Sequence, residues 1–233
     1  MSKERLAFLL GGYEAFSPSA KAFVSACGGA GSRIALLFQN ANRQDRHFGE
    51  YAGPWHANGA TEITLLGRDA DGQFDIDSAI QELESSSGIF IGGGHTPTYH
   101  TLYATEPVRS VILSLYSRGV PYGGMSAGAK VAARHCVTEG GHSGSLCIDS
   151  GLDIIGEIID VHFAERERLP RLLDEMAAAG ARTAYGLDEG TCAIFRDGTL
   201  RDVIGPPVHG ITVDNATSRQ HAVTQLNGTN KPE

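Results

Sequence analysis

The stretch Val120-Pro-Tyr-Gly-Gly-Met-Ser-Ala-Gly-Ala-Lys-Val-Ala-Ala-Arg134 decides the fold of this chain. It starts apolar, turns through small residues and continues with strong helix formers, which predicts a strand that passes directly into a helix. The turn contains Gly124-Met-Ser-Ala-Gly128, a match to Gly-x-Ser-x-Gly. Glycines on both sides permit a sharp corner without Cβ clashes, and the corner exposes the serine hydroxyl. Ser126 is therefore a candidate nucleophile, and a Gly-rich turn with a capping serine is the alternative.

Short apolar runs alternate with amphipathic stretches around this corner. The predicted strands are Leu6–Leu10, Ile34–Phe38, Ile63–Leu66, Ile89–Ile91 and Val120–Tyr122. The predicted helices are one that starts at Ser17-Pro18 and stops at Gly28-Gly29, then Arg43–Asn58, Asp77–Leu83, Pro97–Tyr103 and Val108–Tyr116. Nearly continuous apolar strands alternating with helices are typical of a parallel sheet that is covered on both faces. We therefore expect an α/β fold, a three-layer sandwich with a mainly parallel central sheet.

The pattern changes after Gly140, where strands predominate. Predicted strands are Ile154–Val161, Thr191–Phe195, Leu200–Ile204 and Val208–Val213, with a hairpin turn at Asp197-Gly198. The polar residues 215–233 are expected to form a loosely held tail. No interdomain linker is visible, so residues 1–233 are expected to form a single catalytic domain.

The composition and short motifs restrict the binding partners, cellular location and cofactors that we expect. The 233 residues include 27 Asp and Glu against 19 Lys and Arg, a formal net charge of −8, which argues against nucleic acid or an anionic membrane as a partner. The N-terminal apolar run is too short for a signal peptide, so a cytoplasmic location is expected. The four cysteines are scattered and are expected to be reduced and buried. Because the sequence contains neither His-Glu-x-x-His nor zinc-ligand spacing, we expect no metal and no cofactor.

A glycine loop is expected to share a crevice with the corner serine. Gly92-Gly-Gly-His-Thr96 follows a predicted strand and precedes a helix, and ligand sites of parallel sheets gather at the carboxyl ends of the strands. The backbone N–H of Ala127 points toward an oxyanion, and the N–H of Gly93 or Gly94 is a natural second donor. His95 and Thr96 are expected to form a wall against the substrate.

A general base has one prominent candidate among the histidines. His162 ends the apolar run Ile158–Val161 and precedes a basic stretch, so it lies where a strand gives way to a helix. A packing or capping histidine is the alternative. A third group must orient the imidazole, and the residues alone leave Asp160, Asp188 and Glu189 open.

Four motifs occur in a fixed order: Gly-Gly-Gly-His-Thr, Gly-Met-Ser-Ala-Gly-Ala, Asp-Val-His-Phe and Gly-Leu-Asp-Glu-Gly-Thr, between Gly92 and Thr191. Together they resemble the serine peptidase family that contains cyanophycinase and dipeptidase E. The resemblance implies a flavodoxin-like fold of the class I glutamine-amidotransferase type. It also implies that Ser126 is the nucleophile, His162 the base and Glu189 the third member of a triad, with the oxyanion held by the backbone of Gly93, Gly94 and Ala127.

The same resemblance implies how substrate is bound. Arg166 and Arg168 match arginines of the family's basic helix, where a guanidinium can clamp a carboxylate. His95 departs from the family, whose members carry another polar substrate-contacting side chain there, and Thr96 and Asp160 are also expected to bind substrate. Arg171 is expected on a solvated helix face, whose Leu169, Leu172, Leu173 and Met176 pack inward.

The implied activity is hydrolysis of small aspartate-containing peptides, such as β-Asp-Arg, through an acyl-enzyme. An α-aspartyl dipeptidase is the first alternative, and a catalytically silent, amidotransferase-like binding protein is the second. The resemblance also makes a homodimer one option.

Overall fold

A seven-stranded sheet forms the centre of the protein in a computed structural model that describes residues 4–41, 46–140, 145–215 and 220–228. In spatial order its strands are Thr199–Ile204 (β11), Cys192–Arg196 (β10), Leu6–Leu10 (β1), Tyr122–Met125 (β5), Gly88–Ile91 (β4), Arg33–Asn40 (β2) and Glu62–Arg68 (β3). Strands β1, β5, β4, β2 and β3 run parallel, whereas β10 and β11 are antiparallel to their neighbours. The predicted, mainly parallel sheet is confirmed.

Helices cover both faces of this sheet. They are Phe16–Ala26 (α1), Arg46–Ala57 (α2), Ile76–Ser85 (α3), Thr96–Tyr103 (α4), Val108–Ser117 (α5), Ala127–Ala132 (α6) and Leu169–Ala179 (α7). Phe8 and Leu10 of β1 pack into one hydrophobic cluster with α1 and α2, and the alternate residues Ala7 and Leu9 pack into another with α3 to α6. Because successive strand side chains point to opposite faces, burial of both sets produces the three layers.

A second, four-stranded sheet carries the C-terminal half. Its order is His221–Leu226 (β13), Val208–Val213 (β12), Thr183–Leu187 (β9) and Ile158–Val161 (β8), and β8 and β9 run parallel. Helix α7 packs on it through Leu172 and Met176, both fully buried, as the sequence pattern predicts. The opposite face, with Ile159 and Val161, joins the cluster of the central sheet. The prediction of a single domain over residues 1–233 stays a prediction.

Several sequence-based boundaries are wrong. The tail predicted for 215–233 contains β13, which pairs along its length with β12, while residues 216–219 and 229–233 lie outside the described part. The strand was missed because its side chains are largely exposed, so backbone pairing with β12 organises it and no apolar pattern marks it. The strand predicted from Ile154 begins only at Ile158, because residues 151–157 are irregular apart from an isolated bridge between Ile155 and Ala133.

Four further elements were missed or displaced. Strands His135–Gly140 (β6) and Ser145–Ser150 (β7) form an unpredicted two-stranded sheet, and β9 was also missed. The helix predicted from Ser17-Pro18 begins at Phe16, because a 3₁₀ turn leads directly into it. For the predicted helix Arg43–Asn58, residues 43–45 lie outside the described part.

Two further observations concern the cysteine thiols and the length of the helices. All four cysteines are free thiols; three are buried as expected, but Cys147, on the two-stranded β6–β7 sheet, is exposed. Across the described ranges, no helix combines the length and the apolar character that crossing a bilayer requires.

Close packing of α6 on the sheet generates a stability prediction. A Cβ added at Gly128 would lie within 3.0 Å of the backbone carbonyl of Ile91, whereas one added at Gly53 in α2 meets no atom within 4 Å. We expect Gly128→Ala to lower the free energy of unfolding by about 1–3 kcal/mol through overpacking. Gly53→Ala is expected to raise it by up to about 1 kcal/mol, through helix propensity. Urea unfolding of both variants measures the two changes in the free energy of unfolding. Equal changes would contradict the close approach of α6 to the backbone of Ile91.

Candidate active site

Ser126 lies at a strand-to-helix corner, between β5 and α6, with a backbone φ of 51° and ψ of −106°. Side-chain-bearing residues seldom adopt this conformation, which costs roughly 1–3 kcal/mol and persists only where the surroundings hold it. Here the Ser126 N–H donates to the carbonyl of Leu10 at 2.9 Å, and the Ser126 carbonyl accepts from the Lys130 N–H at 3.0 Å. Backbone bonds to β1 and within α6 therefore keep the half-buried serine in place at the corner.

Ser126, His162 and Glu189 form one hydrogen-bonded chain. The Ser126 Oγ lies 2.9 Å from His162 Nε2, and His162 Nδ1 lies 2.5 Å from Glu189 Oε1. His162 follows β8 directly and has a positive φ of 52°, so it too occupies a held, unfavourable conformation. A hydroxyl, an imidazole and a carboxylate in this order allow the imidazole to take the hydroxyl proton while the carboxylate orients it.

The two other candidates for the third group lie elsewhere. Asp188 accepts from the Ala164 N–H at 2.9 Å and pairs with His209 Nε2 at 2.9 Å. Asp160 is fully buried and is bound by basic side chains. Of the three alternatives that the residues left open, only Glu189 contacts His162 among the described residues.

The predicted oxyanion donors differ in availability. Gly93 lies next to the serine, since a Cβ on it would be 3.5 Å from the Ser126 Cβ. Burial raises the pKa of the neighbouring Tyr51, and the backbone N–H of Gly93 opposes that rise by hydrogen bonding to the phenol. Within the described part of the chain, the N–H groups of Gly94 and Ala127 donate to no other group, so both are available to an oxyanion.

A cavity of about 460 Å³ opens beside the serine and the histidine. Four residues predicted at the substrate site line it, namely His95, Thr96, Arg166 and Arg168. Lys130, Thr138 and Arg171 also line it and were missed. We call this cavity the arginine pocket.

Two of the missed residues carried a usable signal. Lys130 lies one helical turn after Ser126, which places both on one face of α6, and Arg171 follows Arg168 by three residues at the start of α7. The expectation that Arg171 belongs only to a solvated face is therefore wrong. Thr138 comes from an unpredicted strand and carried no signal.

Two buried carboxylates support the basic side chains of the arginine pocket. Asp160 receives both Nε and Nη2 of Arg168 at 2.9 Å, and Lys130 Nζ lies 3.3 Å away. Glu175 Oε1 lies 2.9 Å from Arg171 Nε and 3.7 Å from Lys130 Nζ. Asp160 does not line the cavity, because its side chain is fully buried beneath it. Its predicted contact with substrate is corrected to a supporting position under the cations.

Charge pairing keeps Asp160 ionised. Burial raises its pKa, but the positive charges of Lys130 and Arg168 and the hydrogen bonds from Arg168 outweigh burial and lower the pKa below its ordinary value. A bidentate guanidinium–carboxylate pair has a fixed orientation, so Asp160 also fixes the direction in which Arg168 faces. The pocket therefore presents prearranged positive charge beside the nucleophile candidate.

Comparison with known proteins identifies the class. The protein is a serine-type peptidase, a hydrolase. The chain belongs to peptidase family S51, whose sequence pattern matches residues 15–203, which confirms the family resemblance.

Individual relatives agree with this assignment. The chain is 30% identical over 213 residues to a cyanophycinase of Trichormus variabilis, covering 88% of this chain and 70% of the relative. It is 32% identical over 195 residues to a cyanophycinase of Geminocystis herdmanii, covering 77% and 69%. A solved peptidase structure from an acI-B1 Actinobacterium has the same fold, with a TM-score of 0.70 at 18% identity and coverage of 99% and 96%.

Backbone strain at the corner can be measured without catalysis. We expect Ser126→Gly to be more stable than Ser126→Ala by about 1 kcal/mol or more, because glycine relieves the positive φ while both variants lack the hydroxyl. At Ser114, an exposed interior position of α5, the order should reverse, with glycine about 1 kcal/mol less stable than alanine. Chemical unfolding of the four variants tests this expectation. If alanine is more stable than glycine at both positions, backbone strain at Ser126 is excluded.

Removal of the buried carboxylate should be costly. Asp160→Asn is expected to lower the free energy of unfolding by roughly 3–5 kcal/mol, because Lys130 and Arg168 lose their buried counter-charge. The matched control Asp153→Asn breaks an exposed pair with Arg134 and should change the stability far less, because solvent screens the two charges.

The pH dependence of that loss has a defined sign. Since folding lowers the pKa of Asp160, its contribution is complete above the unfolded pKa of about 3.9 and disappears as the pH falls through the folded value. The stability gap between wild type and Asp160→Asn should therefore narrow toward acid pH in unfolding curves. If the stability difference between the two proteins does not change with pH, the charge of the Asp160 carboxylate does not stabilise the fold.

Proposed function

We propose that the protein hydrolyses small aspartate-containing peptides, with Ser126, His162 and Glu189 as a catalytic triad and an acyl-enzyme intermediate. The observation that carries the proposal is the hydroxyl–imidazole–carboxylate chain, with distances of 2.9 and 2.5 Å, next to a pocket of basic side chains. Membership of a serine peptidase family supports the nucleophilic role of the corner serine.

The geometry supports the following sequence of steps. Ser126 Oγ attacks the substrate carbonyl carbon while His162 Nε2 takes the hydroxyl proton, and Glu189 stabilises the imidazolium that forms. The N–H groups of Gly94 and Ala127 hold the tetrahedral oxyanion. Loss of one such donor typically costs roughly 2.7–4 kcal/mol of barrier. His162 then protonates the leaving amine, and a water activated by the same histidine releases the acyl group and regenerates the serine.

Preference for an aspartate-containing substrate follows from the charge of the arginine pocket. Lys130, Arg166, Arg168 and Arg171 line the cavity and outnumber the two buried carboxylates beneath them. A substrate carboxylate outside the scissile bond would be bound by these groups, and planar guanidinium groups suit it because they can bind both oxygens. The similarity to cyanophycinases supports β-Asp-Arg or a related unit as the peptide, with an α-aspartyl dipeptide as the alternative.

Hydrolysis by wild type and Ser126→Ala tests the proposal. With β-Asp-Arg, cyanophycin and α-Asp-X dipeptides as substrates, Ser126→Ala should lose turnover at least about a thousandfold, while its fold is unchanged. A fluorophosphonate should label wild type and the control Ser114→Ala, but not Ser126→Ala. Cleavage of α-Asp-X alone would favour the dipeptidase alternative, and unchanged turnover in purified Ser126→Ala would refute the assignment of the nucleophile.

A further inference from the structure

A second cavity of about 460 Å³ adjoins the catalytic crevice. Its walls include Gly93 and Met125, the residues directly before Gly94 and Ser126, which line the arginine pocket. The two cavities thus meet at the corner loop and the glycine loop. We call the second one the tyrosine pocket, after the rings of Tyr13, Tyr51 and Tyr99; its other lining residues are Phe38, Gln39, Asn40 and Glu50.

The phenolic donors of the tyrosine pocket are already directed at protein acceptors. Tyr13 Oη donates to the backbone carbonyl of Glu50 at 3.2 Å, and Tyr99 Oη donates to that of Gly93 at 2.8 Å. Tyr51 Oη donates to Met125 Sδ at 3.6 Å. A hydroxyl has one proton and two lone pairs, so each phenol has only acceptor capacity left for a ligand.

The amide of Gln39 adds another acceptor. Its Nε2 donates one of its two N–H groups to the backbone carbonyl of His95 at 3.2 Å, and its Oε1 is an acceptor. The glycine loop lies against that oxygen, since a Cβ on Gly94 would be 3.2 Å from Gln39 Oε1. The three phenols and the Gln39 oxygen therefore favour a ligand that brings donors.

A carboxylate and aromatic faces add negative potential. Glu50 lines the pocket from α2, and its charge adds to burial, the larger cause, in raising the pKa of Tyr13 and of Tyr51. One face of Tyr13 is stacked on Phe16, and the residue remains 45% exposed. Guanidinium and ammonium groups bind to such ring faces and donate to carboxylates and amide oxygens.

We propose that the tyrosine pocket binds a cationic group of the substrate, a guanidinium or an ammonium, while the arginine pocket holds the substrate's carboxylate. This inference rests on the proposed function, because the scissile bond at Ser126 would then span the boundary between a cavity lined by basic side chains and one lined by a carboxylate and aromatic rings. The cation has two possible sources, the side chain of the second residue or the free amino group of the aspartyl residue.

Glu50→Gln is the decisive variant, since it removes the charge and keeps the shape. Its control is Glu84→Gln, an exposed carboxylate at the far end of α3 that lines neither cavity. Three peptides with the linkage that wild type cleaves are compared: Asp-Arg, Asp-Leu and N-acetyl-Asp-Arg. We expect Glu50→Gln to lower kcat/KM for Asp-Arg about tenfold or more, because hydrogen bonds to a charged group are lost, and Glu84→Gln to leave it unchanged.

The three peptides distinguish the two sources of the cation. A loss confined to the peptides that contain arginine assigns the pocket to the side chain. Equal losses for Asp-Arg and Asp-Leu, with poor cleavage of the acetylated peptide by wild type, assign it to the amino group. Equal kinetics of the two variants on all three peptides count against the proposal.

Binding of L-argininamide separates this proposal from the proposed function. Its affinity for wild type, Glu50→Gln and Glu84→Gln is measured by titration calorimetry, which requires no turnover. If no peptide is cleaved, the proposed substrate class fails, yet weaker binding of argininamide by Glu50→Gln alone still supports the tyrosine pocket. Absence of binding to wild type, together with equal kinetics of the two variants, overturns the pocket even if the peptidase assignment stands.

Discussion

Two backbone hydrogen bonds at the corner connect the nucleophile candidate to the sheet, and the site depends on them. The Ser126 N–H donates to Leu10 at the end of β1, and the Gly128 N–H donates to Gly92 beyond β4, at 3.2 Å. They tie the corner to the strands on both sides of β5. Because β1, β5 and β4 are parallel, their carboxyl ends meet at one edge, where the glycine loop and the serine come together. Only glycine at 128 lets α6 approach β4 closely enough for the second bond.

The hydrogen-bonded chain of the site joins the two sheets. Ser126 comes from the central sheet, whereas His162 and Glu189 follow β8 and β9 of the smaller one. In that sheet Val161 lies opposite Leu187, so the residues just beyond these strands are neighbours at one edge. The shared hydrophobic cluster between the sheets therefore determines the distance between serine and imidazole.

The carboxylates buried beneath the arginine pocket cost folding stability, but they orient the cations that line it. Asp160 and Glu175 are both fully buried, and moving carboxylates out of water is unfavourable unless cations compensate. Here the compensating groups are the side chains that line the pocket, so each pair both stabilises the carboxylate and orients a cation toward the cavity. A substrate anion then meets groups that are already arranged, which reduces the ordering that binding requires.

The sequence by itself determined the parallel sheet, the two-faced burial and the corner at Ser126, because strand and helix periodicities and tight-turn glycines are local properties. It also singled out His162, the glycine loop and the basic stretch that contains Arg166 and Arg168. The family resemblance pointed to Glu189, but the residues alone left Asp160, Asp188 and Glu189 open, because which of these carboxylates faces the imidazole is decided only when β8 and β9 pair. Strand β13 and the tyrosine pocket also could not be predicted from the sequence. One is held by backbone pairing without an apolar pattern, and the other is assembled from side chains far apart in the chain, whose contacts exist only once the layers pack.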